Sequence, residues 1–132
     1  MQWTAGKNAG FSEADGELYL PINENDTTVN CEVQEKDENS LLNAVKALVA
    51  AKREYLGDFT PEATFELVNT TYPLVFKRED NGKTFYCAIN PSDRAYEIDV
   101  PANAKVIASN NATVNGNRAK LSGVSFLWML AE

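Results

Sequence analysis

The side chains that could carry acid–base chemistry in this 132-residue chain are carboxylates, because it contains no histidine. Acidic residues number 19 against 12 basic ones, and three acidic pairs lie close in sequence: Asp15 and Glu17, Glu24 and Asp26, Asp37 and Glu38. A carboxylic acid that donates a proton near neutral pH needs apolar burial to raise its pKa. No apolar flanks surround these pairs, so each reads as solvated or as a helix cap. The lack of histidine also excludes Ser-His-Asp and Cys-His catalysis and removes the commonest zinc ligand. Cys31 and Cys87 stand far apart with no CxxC spacing, and read as buried free thiols rather than a disulfide or a metal site. The sequence thus nominates no catalytic residue, no metal site and no cofactor.

A formal net charge of −7 repels phosphate backbones, which argues against nucleic acid or an anionic membrane as partner. No run approaches the roughly 18 apolar residues of a membrane span. With 44% hydrophobic and 23% charged residues, the composition is that of a globular protein. Sequons at Asn25, Asn69 and Asn111 arise readily in a chain this rich in Asn and Thr.

Three kinds of segment must position whatever the chain holds. Residues 1–36 show no sustained period and read as an irregular lead. In KDENSLLNAVKALVAAKREYLGDF (36–59), Leu41, Leu42, Val45, Leu48, Val49 and Tyr55 recur at helical spacing. Asp37 is the expected N-cap, Lys52 and Arg53 suit the C-terminal end, and Gly57 supplies the stop. The spacing predicts a helix over about 38–55. Beyond Pro61 the period becomes two. TFELVN, LVFKRE, KTFYCAIN, AYEIDV, KVIAS and VSFLWML are short strand candidates, and Asp80-Asn81-Gly82 is a hairpin signal. A further hairpin is expected between Ala112 and Leu121. The predicted fold is mainly β with one long helix: an antiparallel Greek-key β-sandwich of about seven or eight strands, preceded by the lead and the helix.

Motifs in the lead add to this. Met1-Gln2-Trp3 is followed by Asn8-Ala9-Gly10-Phe11, then by Leu20-Pro21-Ile22-Asn23-Glu24-Asn25, Asp37-Glu38-Asn39-Ser40-Leu41-Leu42-Asn43 and Lys52-Arg53-Glu54. In this order and spacing they resemble the end of the catalytic barrel in the alpha-amylase family of glycoside hydrolases, in its oligo-1,6-glucosidase and alpha-glucosidase subgroup. Thr4 departs from the pattern, which has an acidic residue directly after MQW.

The resemblance implies that residues 1–57 are the last loop and helix of a (β/α)8 barrel and that 58–132 form the antiparallel domain C. It makes Met1 an internal methionine. It also implies a parent that hydrolyses alpha-glucosidic bonds by a retaining mechanism, with its three catalytic carboxylates on barrel strands absent from this chain. The chain itself is then a non-catalytic fragment supporting the barrel, which is its missing partner. Trp3, Asn8 and Phe11 correspond to the substrate face of the parent and are the candidate substrate-binding residues. Among aromatics that could stack a sugar, Tyr96 has polar neighbours; Phe85, Tyr86, Phe126 and Trp128 sit in apolar runs and read as core. Two alternatives stand beside the fragment: a carbohydrate-binding β-sandwich module that takes an oligosaccharide, and an interaction domain that forms a homodimer through helix 38–55. The parent's substrate and linkage are not legible here, and free thiols lean towards a cytoplasmic setting.

Overall fold

In a computed structural model of the chain, every residue but Asn25 is described, so the Asn25 sequon and the last position of the Leu20–Asn25 motif lie outside the described residues. The chain divides into two units, Met1–Ala50 and Ala51–Glu132.

The first unit is built from short pieces joined by hydrogen bonds. A 3-10 turn spans Lys7–Gly10, helix α1 spans Cys31–Lys36, and α2 begins at Leu41 and runs to Leu56. The lead is therefore not irregular to residue 36. Six residues are too few to show a helical period, but capping marks the helix. Asn30 Oδ1 accepts from Val33 N at 2.9 Å, and Asn30 Nδ2 donates to the carbonyl of Asp26. The carbonyls of Gln2 and Trp3 accept from Cys31 N and Glu32 N at 3.1 and 3.0 Å. Three of the four N–H groups that a helix start leaves open are thereby satisfied.

The start of α2 corrects the cap expected from the sequence. Asp37 Oδ1 accepts from Asn39 N and closes a turn; the cap is Ser40, whose Oγ accepts from Asn43 N at 3.2 Å. Ser40 Oγ also donates to the carbonyl of Gln34, and Asn43 Nδ2 donates to the carbonyls of Gln34, Glu35 and Asp37. In DENSLLN, then, the serine starts one helix while the asparagine finishes the previous one. Neither α1 nor α2 holds a fully buried residue.

The second unit is antiparallel. Its strands are β1 (Glu66–Asn69), β2 (Leu74–Asp80), β3 (Lys83–Asn90), β4 (Tyr96–Asp99), β5 (Lys105–Asn115) and β6 (Arg118–Ala131). They are six rather than seven or eight, because the expected breaks within β5 and β6 are bulges. Asn111 and Val124 take positive φ there (51° and 48°) and the strands continue past them. All six belong to one hydrogen-bonded sheet in the order β1-β2-β3-β6-β4, with β5 along the other edge of β6. Strand β6 pairs with β3 through Ser125–Ala131 and with β4 through Arg118–Leu121.

The corner between those two stretches is fastened by Asn90. Its Nδ2 donates to the carbonyls of Arg94 and Ser122 at 2.7 and 2.8 Å. Gly123 is needed at this corner, since a Cβ would stand 2.6 Å from the carbonyl oxygen of Asp93. Either side of the corner feeds one core: Val75, Ala88, Leu127 and Met129 from β2, β3 and the second half of β6 pack with Ala119, Leu121 and Ile98. On the opposite face of β3 and β6, Phe85, Cys87 and Leu130 are covered by Tyr55, Leu56 and Phe59. Both cysteines are free, and Cys31 is half-buried rather than buried.

Candidate functional site

The MQWTAGKNAGF stretch closes on itself. Ala9 O accepts from Trp3 N at 2.8 Å and from Thr4 N at 3.3 Å, and Asn8 O accepts from Phe11 N. To make this turn, Asn8 and Ala9 adopt left-handed backbone (φ 49° and 52°) and Gly10 follows at φ 74°. Such a conformation costs a non-glycine residue about 1 kcal/mol or more and persists where surrounding contacts over-determine it. Those contacts are present. Asn8 Nδ2 donates to the carbonyls of Ser12 and Ala14 at 3.0 and 2.8 Å, Lys7 pairs with Asp15, and Ala9 is fully buried. Thr4, the departure from the family pattern, accepts from Gly6 N and lies 2.9 Å from where a Gly10 Cβ would stand.

Beside this turn lies an open groove of about 470 Å³ between Phe11 and the Leu18–Asn23 segment. Phe11, Leu18, Leu20 and Ile22 make it apolar, and Gln2, Tyr19 and Asn23 are the polar side chains among its described lining. Of the three residues expected at a substrate face, Phe11 lines the groove. Asn8 instead buttresses the turn through its side chain. Trp3, half exposed, contributes backbone bonds to the turn and to α1. The other wall, Leu18–Asn23, overlaps the Leu20–Asn25 motif only from Leu20 on, and nothing in the sequence indicates that it faces Phe11.

Among the described residues, no carboxylate, histidine, cysteine or lysine lines this groove. Where carboxylates are perturbed, they move the wrong way for a general acid. The Lys36 ammonium holds Glu32 below the usual range, Lys83 does the same for Asp58, and the Thr60 N–H for Asp80. Among the described residues, no group of three His, Cys, Asp or Glu side chains is placed to hold a metal ion.

Tyr96 sits half-buried on β4 opposite the buried Leu121, on the same face as Ile98. Phe85 and Trp128 meet edge to face at 5.6 Å and 87°, and Phe126 and Trp128 at 6.3 Å and 64°. Rings in this arrangement fill space and give no coplanar platform. Two rings in this unit are exposed, Phe65 just before β1 and Tyr72 in the turn before β2, at 62% and 60%.

Residues 1–58 match the family described as alpha amylase, catalytic domain. A probable oligo-1,6-glucosidase of Bacillus subtilis is 34% identical over 91 residues, 68% of this chain and 16% of the relative. An alpha-glucosidase of Apis mellifera is 28% identical over 125 residues, 95% of this chain and 22% of that protein. The crystal structure of an alpha-glucosyl transfer enzyme, XgtA, superposes with a TM-score of 0.81 at 27% identity, over 100% of this chain and 25% of that one. The chain spans a quarter or less of the length of each of these proteins.

Proposed function

We propose that this chain, which belongs to the alpha-amylase family of glycoside hydrolases, supplies a non-catalytic, supporting part of an enzyme that cleaves alpha-glucosidic bonds. The observation that carries this reading is a groove whose described lining holds no carboxylate, beside a turn that falls within the match to the family's catalytic domain. Retaining hydrolysis requires two carboxyl groups about 5–5.5 Å apart, one of them with a raised pKa. In the parent those groups would stand on the barrel, the partner this chain supports. The Phe11 groove would then be a wall of the parent's substrate cleft, with Asn8 as a residue that positions it.

The test is direct. The chain alone, incubated with 4-nitrophenyl alpha-glucoside, maltose and isomaltose, is expected to release no product above the buffer rate. Turnover that scales with protein concentration would overturn the reading.

A second reading is favoured by one observation on α2. Leu41, Val45 and Val49 are 75%, 48% and 43% exposed, an apolar stripe of the kind that marks an interface. On that reading the chain self-associates through the helix. Light scattering at high concentration is expected to give a mass above 14.6 kDa; a mass equal to one chain would remove this alternative.

A further inference from the structure

We propose that the β unit carries a binding groove for a neutral alpha-glucooligosaccharide, centred on Tyr72. The ligand class rests on the family reading above; the place rests on the groove's own chemistry. The cavity measures about 570 Å³ and lies between the end of β1, the turn at 70–73 and the end of β3. Its size is within the range of small-molecule sites.

Three features of the lining select the ligand. Tyr72 is 60% exposed, which makes its ring available to the C–H face of a pyranose, and Leu67 and Ile89 add apolar lining beside it. The polar groups beside it are the hydroxyls of Thr70 and Thr71 and the amide of Asn69. These donate and accept without charge, as sugar hydroxyls do. No acidic or basic side chain lines the groove, although the protein carries 19 acidic residues. A charged ligand would lose hydration there and gain no counter-ion; a neutral polyol loses little.

The groove is also fixed before any ligand arrives. Asn69 Oδ1 accepts from Val75 N at 2.9 Å, which ties the start of the turn to β2 and leaves Nδ2 to donate. A register shift between Leu67 and Asn69 bends the strand end where the turn departs. Nothing in the residue pattern marks this site, because an aromatic in a turn belongs to no period.

One ring and a few hydrogen bonds suggest a Kd on the order of 1 mM. The experiment is an amide NMR titration of the whole chain with maltotriose and with isomaltotriose. Saturable shifts are expected at residues 69–72 and Ile89 with at least one of the two. Tyr72→Ala should weaken binding at least tenfold, and Tyr72→Phe should stay within about threefold because the ring remains. Should Tyr72→Ala not fold, the shift map of the native chain decides alone. No shifts at about 10 mM sugar, shifts confined elsewhere, or shifts that appear on raising protein concentration without sugar would each overturn the proposal. That failure would leave the absence of turnover untouched, whereas turnover by the chain would overturn the supporting role without moving the map.

Discussion

The two units reach order by different means. Among the described residues of Met1–Ala50 one apolar side chain, Ala9, is fully buried, accompanied by the polar Asn30 and Ser40. The β unit buries ten apolar residues, including Leu121, Leu127 and Met129. In the first unit, polar side chains bind backbone: Asn8, Asn30, Ser40 and Asn43 each satisfy groups that a turn or helix end would leave open. In the second, area removed from water supplies the stability and the backbone pairs with itself. The lesson concerns what each can lose. A hydrogen bond to backbone is worth about 0.5–1.5 kcal/mol net, and a core leucine several times that on deletion.

The comparison breaks most visibly at the core. Leu121→Ala is expected to cost about 3 kcal/mol, since the residue is fully buried at the strand junction. Urea denaturation followed by Trp128 emission in a Trp3→Phe background reads the β unit. If this change also removed amide protection in residues 31–49, the division into two regimes would be wrong. A smaller effect tests the other side. Asn30→Ala removes a cap and a bond to Asp26 and should cost about 1–2 kcal/mol. Hydrogen exchange is expected to speed up over Cys31–Lys36 and stay unchanged in β3 and β6. Uniform acceleration would show that the lead is not stabilised locally.

The last test concerns pH. Burial pushes the Cys87 thiol up to about 11. The folded state keeps its proton where the unfolded state has lost it, so this contribution is whole below pH 9 and disappears as pH rises towards 11. Native chain and Cys87→Ala should therefore differ in the slope of stability between pH 9 and 11, the native chain falling faster. Equal slopes would mean that burial at this position does not govern the thiol. At pH 8 the half-buried Cys31 should react first with a disulfide reagent.

Much of this was legible in the residues. Strand β3 has the bounds read from KTFYCAIN, and α2 ends within a residue of expectation. Its start was misplaced because aspartate closes turns as well as helices, and the choice between Asp37 and Ser40 depends on α1, which has no period to reveal it. The extra strands came from ending one candidate at Ser109 and beginning another at Val124; in the structure the residues between the candidates, Asn110-Asn111 and Ser122-Gly123, lie inside β5 and β6 at bulges. In the candidate site, Trp3, Asn8 and Phe11 were recognised as one loop, but their division into lining and support follows from which backbone groups each satisfies. Tyr72 was missed because its exposure follows from the path of a turn.

Strand β6 follows β3, β4 and β5 in the chain and pairs with all three. On a ribosome that order has a cost in time. The β2–β3 hairpin can close as soon as it emerges, yet the edge of β3 that Trp128 and Leu130 will occupy stays bare until some forty further residues have been made. Non-local pairing of this kind is slow, and a waiting edge can take the wrong strand. The most vulnerable moment for this protein therefore falls during synthesis, just before its hub strand arrives.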